Sequence, residues 1–323
     1  MMKKSKPLLH NKFFGHFLAG LFFLVVGYFF YSAATNMNYV WKWTSVPKYF
    51  VYDEVITIQS PADGTLATKD GAFFIKSKEQ FIKLENLNTS FKFDYVIDEN
   101  IYKGDTIATK ETIRAGPVLN GLYVTIKVSV FAALLSVIIG VVISTMKLSS
   151  YIFLRDIATV YITIIRGTPL LVQIFLFYFI VANIFGLERF TAGVLSLGVF
   201  FGAYMAEILR GAIQSIDKGQ TEAAKSLGLN MFDTMRYIVM PQAIKRALPT
   251  LVGEFIALVK DSSLISVISI TDLTKVGKEI VANTFSPFET WIVIALLYLT
   301  ITSLLSFIGH KIEKRLKEKG GIS

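Results

Sequence analysis

Five or six stretches of this 323-residue chain are apolar over lengths near the ~20 residues that a helix needs to cross a bilayer. They cover residues 13–34 and about 119–146, 157–185, 191–209, 248–270 and 288–308. Hydrophobic residues make up 53% of the chain and charged ones only 18%, a balance that a soluble protein with this many long apolar runs would not show. The expectation is a polytopic helical membrane protein with six spans. The net charge of +9 does not point to nucleic acid. Lysine and arginine concentrate in an N-terminal tail (Lys3, Lys4, Lys6, Lys12), in a loop with Lys225, Arg236, Lys245 and Arg246, and in a tail from Lys311 to Lys319. That is the bias of cytoplasmic membrane flanks, and it puts both chain ends inside. Residues 1–12 and 311–323 read as cytoplasmic tails. Residues 13–34 are longer than the apolar core of a signal peptide and read as an uncleaved anchor. Cleavage near Ala33 is the competing reading and leaves the later topology unchanged. The chain has no cysteine, which excludes disulfides and thiol chemistry. His10, His16 and His310 flank membrane segments and do not form a ligand set.

Residues 35–115 differ in character. Trp41 and Trp43 suit a membrane interface. Short alternating runs follow, with turn residues at Ser60-Pro61-Ala62-Asp63-Gly64 and at Tyr102-Lys103-Gly104-Asp105. Asp-Gly and Gly-Asp between β-rich runs predict hairpins and a small β-rich extracytoplasmic domain between the first and second spans. The two turns faintly resemble those of a lipoyl-like β-sandwich. No lysine stands at a hairpin tip between hydrophobic neighbours, so lipoylation or biotinylation is not implied.

The most specific pattern lies between two spans. Glu222-Ala223-Ala224 is followed after three residues by Gly228, and after nine more by Ile238, Met240 and Pro241. Small Ala223 and Ala224 allow a short helix to approach a partner closely, Gly228 can end that helix, and Pro241 restricts the start of the next one. A helix-turn-helix in an ordinary cytosolic loop is the plainer reading, but it does not account for these positions in register between membrane spans. The pattern resembles the ATPase-docking loop of ABC importer permeases, with Met240 in place of a leucine. From about residue 116 the chain is similar to the polar amino acid uptake branch. The stretches that carry the likeness are Asn120 to Ile126, Arg166 to Gln173, Ala206 to Gly211, Gly253 to Phe255 and Lys260 to Leu264. The family's members commonly begin near residue 116, so the β-rich segment is a departure from it.

The resemblance implies a permease domain over 116–310 in a bacterial inner membrane. It implies as partners a cytoplasmic ATPase dimer, a second permease subunit (the same chain or another), an extracytoplasmic substrate-binding protein and an amino acid cargo. ATP and Mg would be held by the ATPase. In agreement, this chain contains no Gly-x-x-x-x-Gly-Lys-Ser/Thr phosphate loop and is expected to be a transport subunit without its own enzyme site.

Glu254, Lys260 and Asp261 interrupt an apolar stretch. An ionisable residue at membrane depth costs about 2.5–3.5 kcal/mol on insertion scales and is a functional hypothesis by default. Glu254 and Asp261 lie two helical turns apart, on one face, and two carboxylates there suit the ammonium of an amino acid. Pairing with a cation on a neighbouring helix is the structural alternative. Arg166 precedes Gly167-Thr168-Pro169, which should kink or start a helix, and it could hold a cargo carboxylate bidentately or act as a structural clasp near the inner surface. Glu207 and Arg210 read as an intrahelical pair. Two other functions remain to be weighed: an ion-coupled secondary amino acid transporter, which has no use for the docking loop, and a membrane-anchored adaptor working through the β-rich segment.

Overall fold

The computed structural model describes residues 12–37, 39–69, 72–77, 80–84 and 91–318. The basic residues expected at Lys3, Lys4, Lys6 and Lys319 lie outside the described residues, as does His10. The chain divides into two compact units, residues 1–44 and 45–323.

The first unit is the helix α1 (Lys12–Asn36) and the segment after it. Its apolar stretch Phe14–Ala33 has no buried residue, as suits a helix whose solvent is lipid. Tyr39, Trp41 and Trp43 follow as a cluster, with the Trp41 and Trp43 rings stacked at 5.7 Å and Tyr39 edge-on to Trp41 at 5.3 Å.

The second unit begins with a short turn, α2 (Pro47–Phe50), and seven strands. They are β1 (Val51–Gln59), β2 (Gly64–Lys69), β3 (Ala72–Ser77), β4 (Gln80–Lys83), β5 (Lys92–Phe93), β6 (Asn100–Ile101) and β7 (Thr106–Ala115). They form two sheets, ordered β1-β7-β5 and β4-β3-β2-β6. Leu66, Ile75, Leu84, Ile101, Ile107 and Ala108 make their common core. The two turns do not close the expected hairpins. Strands β1 and β2, on either side of Asp63-Gly64, belong to different sheets, and so do β6 and β7 around Gly104. The turns bond to each other instead: Lys103 N–H donates to Asp63 Oδ1 at 2.7 Å, and Gly104 N–H, at φ +94°, to Ser60 O at 2.9 Å. Strand β1 pairs antiparallel with β7, from Val51 opposite Ala115 to Ile58 opposite Ala108.

Gly116 then leads from β7 into α3 (Pro117–Leu148). Its N–H donates to Phe50 O at 2.6 Å. A Cβ at Gly116 would stand 2.3 Å from Tyr49 O, so only glycine allows this closure of the sheet onto the helix. The remaining helices are α4 (Ile152–Gly167), α5 (Leu170–Leu176), a π-helical turn (Phe177–Ala182), α6 (Asn183–Phe185) and α7 (Arg189–Gln214). After them come α8 (Lys218–Ser226), α9 (Met231–Asp233), a second π-helical turn (Thr234–Val239) and α10 (Met240–Asp261). A 3-10 turn (Ser262–Ile268), α11 (Leu273–Thr284) and α12 (Pro287–Glu318) complete the described chain.

Helices α3 and α7 run in the same direction and approach closely through small residues, the usual device for helix contact in lipid. Gly198 packs on Leu135, Gly202 on Ile139 and Gly140 on Met205. Behind them Val128, Leu197, Phe201, Leu258, Ile265 and Ile270 form the main core. The start of α11 sits beside the start of α3, where Gly121 meets Leu273 and Val276. Tyr49 OH is 2.9 Å from Ser286 Oγ, just before α12. The strands and α11 therefore share one end of the helix layer, and α8 lies at the other.

Among the described residues four helices are long and apolar enough to cross a membrane: α1 (Phe14–Ala33), α3, α7 and α12 (Pro287–Leu316). The pair α4 and α5–α6 is long and apolar enough only when taken together, and is bent by 109° at the break, the geometry of a broken span or a re-entrant loop. Gly167-Thr168-Pro169 makes this bend, with Pro169 as the N-cap of α5. The stretch expected to span over 248–270 is not one apolar helix. Its helix begins at Met240 and ends at Asp261, where Ser262 Oγ bonds back to Val259 O and a 3-10 turn takes over.

Candidate functional site

The residues singled out from the sequence fall into two groups, one at the α8 end and one within the helices. Helix α8 is capped at both ends. Asp217 Oδ1 accepts from Gly219 N–H at 2.7 Å, satisfying one of the free donors of a helix start. At the other end Gly228 takes φ +81°. Its N–H donates to Lys225 O at 2.9 Å, and Leu229 N–H to Ala224 O at 3.1 Å, the pair of bonds that define a Schellman stop. Glu222 and Ala223 are exposed on this helix, whereas Ala224 is buried in the loop's own packing. Leu227, Met231 and Phe232 stand out from the same loop, with Leu227 83% exposed. Pro241 lies in the first turn of α10, which continues directly from the π-helical turn Thr234–Val239. Arg246 on α10 donates to Ser215 O at the end of α7 and ties the loop's two ends together.

The second group lies on α7 and on α4 and α10, which each pack against it. Glu254 and Asp261 are on one face of α10, both half-buried. Arg166, the last basic residue of α4 before the bend, is turned toward α7. Its guanidinium stacks over the Tyr204 ring at 5.0 Å, and Nη1 is 4.0 Å from Glu207 Oε2. Glu207 is itself gripped by Arg210, Nη2 to Oε2 at 2.7 Å and Nε to Oε1 at 3.1 Å. This is the intrahelical pair expected from the sequence. The bend beside Arg166 is held by Gln173, whose Nε2 donates to Ile165 O at 2.8 Å and to Thr168 Oγ1 at 2.7 Å. The structure thus brings Arg166 to Glu207 and Tyr204. Sequence reasoning missed Tyr204 and Gln173: spacing links residues within one helix, and these contacts cross from one segment to another.

The sequence profile of the binding-protein-dependent transport system inner membrane component family matches residues 124–318. The chain belongs to that family. It is a multi-pass inner-membrane protein. The glutamine transport system permease protein GlnP of Escherichia coli (strain K12) is 39% identical over 202 residues, which are 62% of this chain and 92% of that protein. The arginine transport system permease protein ArtQ of Bacillus subtilis (strain 168) is 36% identical over the same shares. A crystal structure of an amino acid ABC transporter with histidines is 42% identical, with a TM-score of 0.58 over 62% of this chain and 94% of that one. The MetNI methionine ABC transporter in an inward-facing form is 17% identical at a TM-score of 0.55 and shares the fold.

Proposed function

We propose that this chain is one permease half of an ATP-driven, binding-protein-dependent importer of polar or charged amino acids. Helix α8 carries the reading. A capped helix with Glu222 and Ala223 facing out, stopped by Gly228, is a rigid knob of the kind a cytoplasmic ATPase can grip. An ion-coupled carrier has no use for it. Family membership implies an ATPase and a substrate-binding protein as partners, with ATP bound on the ATPase. Six crossings follow if α10 spans together with α1, α3, the bent α4–α6 pair, α7 and α12. The two sheets, within residues 35–115, then stand outside, at the opposite end from α8, and 116–310 form the permease domain. A second permease subunit completes the pathway.

Glu254 and Asp261 face that pathway in this reading and meet the cargo's ammonium, with Arg166 bordering them. Relatives named for glutamine and arginine transport support an amino acid cargo. The test is reconstitution in vesicles with the ATPase and binding protein, following uptake of radiolabelled arginine and glutamine. Uptake should need ATP, and Gly228→Asp should abolish it while membrane insertion stays normal. Full uptake by Gly228→Asp with ATPase bound at normal yield would refute the docking role of α8.

A further inference from the structure

A groove of about 480 Å³ runs between α3, α10 and α12. Its walls include Ile126, Val130, Leu134 and Val137 of α3, Phe255 of α10 and Leu304 of α12. The one polar residue in its lining, Ser129, spends its hydroxyl on Ser262 Oγ at 3.4 Å. The groove therefore offers nothing to a polar cargo. From Ile126 to Val137 a helix rises about 16 Å, close to one leaflet of a bilayer whose hydrocarbon core is about 30 Å thick. Spread over that length, the volume leaves a cross-section of about 30 Å², which admits one extended acyl chain but not a helix about 10 Å wide.

Lys127 stands at the end of this groove nearest the sheets. It directly follows Ile126, and it shares one side of α3 with Val130 and Leu134, at i+3 and i+7. Its Nζ is 5.0 Å from the centre of the Phe190 ring in the first turn of α7, and 5.9 Å from that of the exposed Tyr123 ring. The ammonium is thus level with the start of α7, beside a tyrosine of the kind that marks a membrane interface. Among the described residues no carboxylate forms an ion pair with it. A lysine stem lies easily along apolar surface while its head reaches the headgroup level.

We propose that the groove and Lys127 together bind one anionic phospholipid, with an acyl chain lying along α3 and the phosphate on the Lys127 ammonium. The site goes beyond the importer reading and depends on it only for the leaflet, which is the outer one in the topology given above. Charge at the head and a narrow apolar slot below it select a lipid over a second protein helix.

The test is titration of the purified full-length chain with phosphatidylglycerol or phosphatidylcholine, reading bound lipid by native mass spectrometry. The wild-type chain should bind phosphatidylglycerol the more tightly. Lys127→Gln should weaken phosphatidylglycerol about five-fold, the usual effect of one basic residue near an anionic headgroup, and leave phosphatidylcholine unchanged. Lys127→Arg should keep the preference. Val130→Trp and Leu304→Trp, which fill the groove from opposite walls, should each weaken both lipids, so the site remains testable if one variant fails to fold. A wild-type chain without preference, a preference that survives Lys127→Gln, or wild-type lipid binding in the tryptophan variants would overturn the proposal. Tryptophan variants that keep their lipid but lose self-association would assign the groove to a second copy of the chain instead.

Discussion

Gly228 shows how one backbone angle decides an element. Its φ of +81° is in the left-handed region, and nothing lies within 4 Å of where a Cβ would be. Gly228→Ala therefore meets no clash, only the left-handed penalty of about 1–2 kcal/mol. We expect the end of α8 to fray and ATPase co-purification to weaken without loss of membrane insertion; unchanged co-purification would contradict this. Asp272 is a second decisive residue. It is fully buried at the start of α11 and accepts from Lys275 N–H at 2.9 Å and Thr274 N–H at 3.1 Å. Burial pushes its pKa up, against the pull of these backbone N–H groups. A carboxyl whose pKa is raised by folding stabilises fully below its unfolded pKa, about 4, and loses that contribution as pH rises through the folded value. Asn keeps the cap and does not titrate. Wild-type melting temperature should then fall relative to Asp272→Asn as pH rises across the carboxylate range, and a gap independent of pH would show that Asp272 is not coupled to folding. The stop at Gly228 was legible in the sequence because glycine's chemistry is local. The importance of Asp272 was not, since an aspartate before a helix looks the same buried or exposed.

At the scale of elements the bend between α4 and α5 is the sharpest feature. Gly167-Thr168-Pro169 announces it, because proline has no N–H to continue a helix and disfavours helical geometry in the residue before it. What keeps the bend at one angle is Gln173, 3% exposed, which satisfies the Ile165 carbonyl and the Thr168 hydroxyl. Gln173→Leu would leave a part-buried carbonyl at the end of α4 without that donor, at a cost toward the lower end of about 1–3 kcal/mol. A lowered melting temperature and reduced uptake are expected; a melting temperature equal to wild type would show that the bend holds without Gln173. The sequence indicated the break but not its brace, because the glutamine lies beyond the proline and its partners before it. The same limit applies to α10: the apolar run continues past Asp261 to Ile270, yet the helix stops where Ser262 bonds back to Val259 O.

For the whole molecule, the sheets are an addition to a core that its relatives possess without them. The matched region is 62% of this chain but 92% of the Escherichia coli glutamine permease. Val51 is paired with Ala115, and Gly116 N–H reaches Phe50 O at 2.6 Å, so the two ends of residues 51–115 meet. Replacing 51–115 by a short glycine linker should leave membrane insertion and ATPase binding intact, read by co-purification. Loss of ATPase binding would mean that the sheets take part in holding the helix layer together. The long apolar helices α1, α3, α7 and α12, the capped helix α8 and the bend at Pro169 could be read from the residues in order, because each rests on local chemistry: apolar length, a left-handed glycine, a missing N–H. Only the folded chain decided that β1 pairs with β7 and not with its neighbour β2, that Arg166 leans on Glu207 and Tyr204, and that Tyr49 meets Ser286. Those contacts join residues far apart in sequence, and their energy depends on which surfaces the packed helices bring together, which no periodicity along the chain records.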